Sequence, residues 1–238
     1  MFSLPRGTQA LLWINVAVFL LLGQGDSGLV RLLALWPLGS EVTGGPGFFP
    51  WQVFTYAFLH AGEMHIIVNM FGLVMFGGEV ERAWGAKRFL IYYFTCVLAA
   101  GVAELAVARF THSGNAIVGA SGGVFGLLLA YGLLFPQRRV AILLVPTVLA
   151  LGLFALEPDL VMWLMIPMLA FALLFPRSRL NLLLLPVPLP AWLLVTLYGV
   201  LELLMGLTGA QADVAHFAHL GGMLGGWLLI RYGGRGLE

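Results

Sequence analysis

A serine and a histidine, each at the start of an apolar run, are the residues of this chain best suited to covalent chemistry. Ser121 lies in the segment Gly-Ala-Ser-Gly at 119–122, and His219 lies in Ala-His-Leu-Gly-Gly at 218–222. A serine hydroxyl needs an adjacent base to become a nucleophile at neutral pH. The small residues around both side chains would let two helices approach closely enough for a Ser121–His219 hydrogen bond. The pair predicts a protease-type nucleophilic site between two apolar segments.

Apolar residues dominate the composition. Of 238 residues, 61% are hydrophobic and only 10% are charged, and the mean hydropathy is +0.97. A soluble domain of this length could not bury so much apolar surface in one core, so the chain is expected to lie in a lipid bilayer. The net charge of +1 gives no electrostatic basis for binding nucleic acid. The single cysteine, Cys96, cannot form an internal disulfide and is predicted to be a small core residue.

Eight apolar runs, separated by charged residues or by proline and glycine, predict a bundle of membrane helices. Helices are expected because every backbone polar group must be satisfied locally in lipid. The first run resembles a signal peptide, but no small-x-small cleavage site follows it, so we expect a retained span. The runs are 8–23, 64–78, 89–108, 116–135, 140–155, 160–175, 191–207 and 214–230.

Basic residues predict the orientation of these helices. They fall mainly at the ends of the chain and in every second gap, whereas the alternate gaps hold most of the acidic residues. The positive-inside rule then places both termini on the cytoplasmic side of a cell membrane. We expect this to be a bacterial inner membrane. On this topology Ser121 and His219 lie at the outer ends of their helices, at similar depth. The basic residues are Arg6, Arg82, Lys87, Arg88, Arg138, Arg139, Arg177, Arg179, Arg231 and Arg235, with Arg31 and Arg109 as exceptions.

The longest gap, residues 24–63, contains a short amphipathic stretch at 29–37 and a glycine-, proline- and aromatic-rich stretch at 44–51. A helix too short to span, with interfacial tryptophans, predicts a hairpin half-sunk in the outer leaflet.

One internal repeat is present. Residues 133–146 recur as 173–186, sharing Leu-Leu-Phe-Pro, an arginine and a second proline. Local duplication explains these shared features better than chance similarity between apolar segments does. Residues 137–176 are therefore predicted to be an inserted apolar hairpin of two helices, within a single domain that spans 1–238. The two apolar runs, of 16 residues each, are short for a bilayer, so a crossing pair and a shallow hairpin both stay open, with the crossing pair slightly favoured.

Several motifs in this order and spacing resemble the rhomboid family of intramembrane serine proteases. They are Phe-Thr-Tyr-Ala-Phe-Leu-His at 54–60, His60-x4-His65-x3-Asn69, Gly-Gly-x-Val-Glu-Arg-x-x-Gly at 77–85, and the two segments around Ser121 and His219. The resemblance covers most of the chain. It implies an all-α, polytopic membrane bundle with a six-helix core and a serine–histidine dyad without a third acid. It also implies no cofactor, and substrates that are transmembrane segments of membrane proteins, cut near the outer face.

His65 and Asn69 lie four residues apart, so they share one helix face. Two polar side chains on one face of an apolar span are costly unless they are paired or functional. The resemblance implies that both donate to an oxyanion together with the Ser121 backbone N–H. A structural histidine–asparagine pair is the alternative.

Supporting residues surround the predicted dyad. Phe125 stands where many family members have tyrosine, which implies a ring stacked on His219. Gly119, Gly122 and Gly222 belong to the two small-residue segments, and Gly122-x3-Gly126 and Gly222-x3-Gly226 favour close helix packing. Gln52 stands where some members carry arginine, which weakens any expectation of an ion pair with Glu81.

The other histidines are assigned lesser roles. His216 lies three residues before His219, and this His-x-x-His pair suggests a metal site with His60 and His65. A metal would leave the serine motif unexplained, so no metal is expected. His60 is predicted to be structural, and His112 to be solvated in a short loop.

Three acidic residues near span ends complete the candidates. Asp213 is the acid nearest to His219 in the sequence, and is expected to start a helix rather than to join a triad. Glu104 and Glu202 lie in or near apolar runs, where an acid often marks an ion pathway, but two isolated acids favour a transporter only weakly. A polytopic transporter or a catalytically inactive rhomboid-like binding protein is the alternative to a protease.

Overall fold

A computed structural model describes residues 3–22, 28–43, 45–111, 114–143, 186–209 and 214–233. Within these ranges the chain is mainly helical, and two short strands form one antiparallel pair. The helices are α1 Arg6–Leu22, α2 Gly28–Leu33, α3 Gln52–Thr55, α4 Glu63–Gly72, α5 Gly78–Trp84, α6 Ala86–Thr111, α7 Ser121–Leu134, α8 Ala191–Thr208 and α9 His216–Tyr232. A π-helical turn, Leu73–Gly77, joins α4 to α5, short 3-10 turns lie at Ser40–Thr43 and Tyr56–Phe58, and the strands are β1 Arg139–Leu143 and β2 Pro186–Pro190.

Three of the described helical segments are long and apolar enough to cross a membrane: Glu63–Trp84, Ala86–Thr111 and Ala191–Thr208. The apolar helices Arg6–Leu22 and Ser121–Leu134 are shorter. Large apolar side chains such as Phe71 and Leu204 are exposed on the outside of the bundle, as expected of surfaces that face lipid rather than water. The predicted all-α membrane bundle is thus confirmed.

Small residues set the distance between α9 and α6. A Cβ atom added to Gly221 would lie 2.4 Å from the Ala103 Cβ, and one added to Gly225 would lie 2.3 Å from the Ala99 Cβ. Both distances are far below van der Waals contact, so neither position admits a side chain while the helices keep this spacing. The glycines that the sequence places on α9 therefore bring its backbone close to α6.

A buried carboxylate ties α1 to α5. Glu81 accepts hydrogen bonds from the backbone N–H groups of Gly7 and Thr8, at 2.7 and 2.6 Å, and from the Thr8 hydroxyl at 2.8 Å. These N–H groups belong to the first turn of α1, which has no intrahelical acceptors for them, and a negative charge there is favoured by the helix dipole. Glu81 is therefore a helix cap.

The segment that precedes α4 has the short helix that the sequence predicts, α2. Gln52 is buried beneath it, and its side-chain oxygen accepts from the backbone N–H groups of Trp36 at 3.3 Å and Phe49 at 3.1 Å. An antiparallel bridge between Leu35 and Ile117 joins this segment to the loop that enters α7. Gln52 thus organises the segment through hydrogen bonds and takes no part in the cap formed by Glu81.

The antiparallel pairing of β1 with β2 was not predicted. Residues 140–143 fall in a run expected to be helical, but they pair with β2 in the register Arg139↔Pro190 to Leu143↔Pro186. Three of the five residues of β2 are prolines, which lack an N–H and disfavour a helix interior. Because the prolines alternate, Val187 and Leu189 still offer N–H groups for a two-stranded ladder. The rest of the predicted insert, residues 144–176, lies outside the described residues.

The chain that follows α7 is hydrogen-bonded to the start of α8 beside this strand pair. The Ala191 N–H donates to the Arg138 carbonyl at 2.9 Å, and the Trp192 N–H donates to the Pro136 carbonyl at 3.2 Å. The Arg138 guanidinium pairs with Glu79 and lies 4.2 Å from the centre of the Phe135 ring. The first residues of the predicted insert are therefore held next to the start of α8.

Candidate active site

Ser121 and His219 are in direct contact, although 98 residues separate them in the chain. The Ser121 Oγ lies 2.8 Å from the His219 Nε2. Ser121 is the first residue of α7 and His219 is the fourth residue of α9, so two helix N-termini meet at the site. His219 is 8% exposed and Ser121 is half-buried, so the serine is the more exposed of the two residues.

The contact between the serine helix α7 and the histidine helix α9 depends on two glycines. A Cβ added to Gly222 would lie 2.0 Å from the Gly122 carbonyl oxygen, and one added to Gly126 would lie 3.3 Å from the Gly222 carbonyl oxygen. The backbones therefore touch one turn below the Ser121–His219 hydrogen bond, which is the close approach that the small-residue pattern predicts.

Phe125 holds the plane of the His219 ring. The two rings are stacked, with centroids 4.2 Å apart and planes inclined by 6°. Tyr198 of α8 packs edge-on against Phe125, with ring centroids 6.2 Å apart. The stacking expected of Phe125 is present, and it restricts rotation of the imidazole about its Cβ–Cγ bond.

His65 lies beside the nucleophile. Gly119 has φ = +129°, and a Cβ at this position would lie 2.7 Å from the His65 Nε2 and 3.6 Å from the Ser121 Oγ. The His65 Nδ1 accepts from the Ala61 N–H at 3.3 Å, so its Nε2 carries the hydrogen in the neutral ring. Glycine at 119 thus leaves room for an N–H donor next to Ser121.

Asn69 points back along its own helix. It is buried, and its Nδ2 donates to the His65 carbonyl at 2.8 Å. One of its two amide hydrogens therefore forms a hydrogen bond within α4. Among the described residues, the Asn69 side chain forms no hydrogen bond with Ser121. The asparagine braces the turn that carries His65, and its second amide hydrogen remains for another acceptor.

His60 sits in the loop before α4 and packs edge-on against His65, with ring centroids 5.1 Å apart. Burial, with a smaller contribution from His65, lowers the pKa of His60 to about 3. The His60 ring is therefore neutral at physiological pH, which fits the structural role predicted for it.

Glu202, which the sequence interpretation treated as an isolated acid, lies at the site. Its Oε2 is 2.9 Å from the His219 Nδ1 and 2.7 Å from the His216 Nδ1. Glu202 is 17 residues from His219 in the sequence, but the pairing of α8 with α9 brings it next to the imidazole. Asp213 itself lies outside the described residues, as does His112. The available signal was a carboxylate within an apolar helix, which requires a partner.

The described residues do not form the metal site considered from the sequence, in which His216 and His219 would join His60 and His65. His216 lies with Glu202 and His219, within 4.8 Å of one another by their ligand atoms, and these three are the metal-compatible group found in the described part of the chain. His60 and His65 contact each other instead.

Glu104 also has a partner. Its Oε2 accepts from the Ala218 N–H at 3.0 Å, which belongs to the first turn of α9. Glu104 therefore caps the histidine helix, and neither Glu104 nor Glu202 is isolated.

A serine hydrogen-bonded to a histidine, both carried by glycine-packed helices of an apolar bundle, is the arrangement of a serine hydrolase set within a membrane. The model of the rhomboid domain matches residues 49–174 and 163–236, which together cover most of the chain. The protein therefore belongs to the rhomboid family, a family of intramembrane proteases.

Individual relatives agree with this assignment. The chain is 31% identical over 122 residues to rhomboid protease GlpG of Klebsiella pneumoniae, covering 51% of this chain and 41% of that protein. It is 40% identical over 78 residues to rhomboid protease GluP of Bacillus subtilis, covering 33% of this chain and 14% of that protein. It is 36% identical over 81 residues to human rhomboid-related protein 3, covering 34% and 19%. The chain thus spans less than half the length of these relatives.

Proposed function

We propose that this protein is an intramembrane serine endopeptidase that cleaves transmembrane segments of membrane proteins near the outer face of the bilayer. The observation that carries the proposal is the 2.8 Å contact between the Ser121 Oγ and the His219 Nε2. A serine becomes a competent nucleophile when such a base accepts its proton.

The reaction begins with attack of the Ser121 Oγ on the scissile carbonyl carbon, while the His219 Nε2 takes the hydroxyl proton. A C–O bond forms, and the carbonyl electrons move to the oxygen to give a tetrahedral oxyanion. The C–N bond then breaks, and the imidazolium returns its proton to the leaving amine. Water, deprotonated by His219, hydrolyses the acyl-enzyme and regenerates the serine hydroxyl.

Donors for the oxyanion lie at the same end of the bundle. The Ser121 backbone N–H is in the first turn of α7, where N–H groups have no intrahelical acceptor and the helix dipole favours negative charge. The His65 Nε2–H lies beside Gly119, and Asn69 keeps one amide hydrogen for this use. Preorganised donors of this kind stabilise charge that develops in the transition state.

The position of the site favours cleavage near one face of the membrane. Ser121 and His219 are both at helix N-terminal ends. The pattern of basic residues predicts that these ends lie outside, with both chain termini in the cytoplasm. A peptide bond within a stable helix is shielded from attack. We therefore expect substrates with helix-weakening residues near the outer face and small residues at the cleavage point.

Labelling with a fluorophosphonate probe tests the proposal. The purified protein in detergent should react covalently and cleave a transmembrane substrate, whereas Ser121→Ala and His219→Ala should abolish cleavage while the fold is retained. Thr196→Ala, which removes an exposed hydroxyl from α8, is the matched control and should label like the unaltered protein. Cleavage retained in either purified dyad variant would refute the proposed chemistry. A folded but unreactive protein would indicate the inactive binding protein or transporter instead.

A further inference from the structure

Glu202 is a buried carboxylate on a helix long and apolar enough to cross the membrane. It is 7% exposed and lies within α8. A carboxylate in such surroundings is strongly destabilising unless cationic or hydrogen-bonding partners surround it. Its close partners among the described residues are two imidazole nitrogens, the Nδ1 atoms of His216 and His219, at 2.7 and 2.9 Å. Because His219 is the base of the proposed reaction, its second partner bears on the chemistry.

The contact with Glu202 determines which nitrogen of His219 carries the hydrogen. A carboxylate only accepts hydrogen bonds, so it favours the tautomer with hydrogen on Nδ1. The lone pair is then on Nε2, which faces the Ser121 hydroxyl. This is the tautomer that a general base needs. The same carboxylate also offsets the positive charge that His219 gains when it takes the serine proton.

The two histidines do not contact Glu202 in the same way. The bond to His216 meets hydrogen-bond geometry, whereas the His219 Nδ1 lies at an ion-pair distance without an aligned hydrogen bond. His216 therefore fixes the carboxylate, and the contact to His219 has room to tighten when the imidazolium forms, as catalytic contacts often do in the complex with substrate.

We propose that Glu202 is a positioning residue of the active site, which orients His219 through Nδ1 and is itself held by His216. This inference rests on the proposed protease function and adds an acidic partner to the serine–histidine pair. Other groups near the pair do not replace it. Glu104 is bonded to the Ala218 N–H, Tyr198 packs on Phe125, and His65 lies next to Gly119.

A metal ion held by the same three side chains is the competing interpretation. Zinc in a tetrahedral site has bonds of about 2.0–2.1 Å, which keeps ligand atoms roughly 3.3 Å apart. The Glu202 Oε2 is 2.7 and 2.9 Å from the two Nδ1 atoms. These distances match hydrogen bonds between the side chains themselves and are shorter than the separation of ligand atoms around zinc.

Glu202→Gln is the test, since it keeps the shape of the side chain and removes its charge. We expect kcat to fall by roughly 10–10²-fold, with KM changed by less than about twofold. This fall in kcat is smaller than the ~10⁴-fold effect of a fully aligned triad acid, because Phe125 also holds the His219 ring. Glu202→Asp should recover part of kcat because it restores the charge. Glu104→Gln is the matched control, since its amide oxygen can still cap Ala218, and should retain kcat.

His216→Phe provides a second test. It should lower kcat less than Glu202→Gln does, and the double variant should be no slower than Glu202→Gln alone, because His216 acts through Glu202. Equal kcat values for Glu202→Gln and Glu104→Gln would overturn the inference, as would no recovery with Glu202→Asp. Loss of activity with a chelator, restored by Zn²⁺, would also overturn it in favour of a metal site. Failure of the unaltered protein to label with a fluorophosphonate would instead refute the proposed function.

Discussion

Gly222→Ala tests whether backbone contact between two helices sets the catalytic distance. In the structure a Cβ at Gly222 lies 2.0 Å from the Gly122 carbonyl oxygen, where ordinary contact begins at 3.4 Å. The histidine helix must therefore move by about 1.4 Å away from the serine helix, since neither backbone can yield locally. His219 lies one turn from Gly222, so the Ser121–His219 separation of 2.8 Å should grow to about 4 Å, beyond hydrogen-bond range.

The expected result is a protein that inserts into membranes and remains monodisperse but has lost most of its activity. Fluorophosphonate labelling rates and cleavage of a transmembrane substrate measure the loss, and a thermal unfolding curve in detergent measures stability. We expect labelling to fall by at least about 10²-fold, the size of effect that misplacement by 1 Å can have on a catalytic group.

Gly199→Ala is the matched control. A Cβ at Gly199 of α8 would lie 3.5 Å from the Met223 side chain, which is an ordinary contact with a flexible group. Alanine also favours a helix over glycine by about 1 kcal/mol, so this variant should be active and at least as stable. Normal labelling by Gly222→Ala would refute the reasoning, because the two helices would then tolerate a wider spacing without losing the hydrogen bond.

The oxyanion donors and the predicted insert give two further predictions. His65→Ala and Asn69→Ala should each lower kcat by roughly 10²–10³-fold with little change in KM; unchanged cleavage with a lower melting temperature would identify a structural pair instead. Deleting residues 137–176 puts 179–183 in the place of β1 and leaves 184–185 as a two-residue loop before β2. We therefore expect the deletion variant to be a folded, active protease. Adding Leu184→Asn and Leu185→Gly should make it more stable still, because Asn-Gly favours a two-residue turn. Loss of cleavage in a monodisperse deletion variant would mean that the insert helps to build the site.

The sequence predicted the features that depend on residue type and local spacing. Glycines around Ser121 and His219 indicated close helix packing, and the stacking of Phe125 on His219 followed from the resemblance to the family. These contacts lie within one or two helical turns of the reactive residues. Hydropathy located the long apolar helices of the described residues, although it also predicted a helix where β1 lies.

The position of Glu202 could not be predicted in the same way. It is 17 residues from His219 in the chain and on a different helix, and hydropathy does not specify how two apolar helices are rotated against each other. The partner of an intramembrane acid is therefore a tertiary feature. The strand at 139–143 was missed for a similar reason, because its pairing partner is β2, a proline-rich segment more than 40 residues away.

The pairing of β1 with β2 has a consequence for how this gene could change over generations, because β1 belongs to the internal repeat. Because residues 133–146 and 173–186 are similar, misaligned recombination between their coding sequences would add or remove a unit of 40 codons in frame. Each such event would regenerate one Phe-Pro turn and one strand able to pair with β2. A protease built this way could lengthen or shorten on that side while its active site is inherited unchanged.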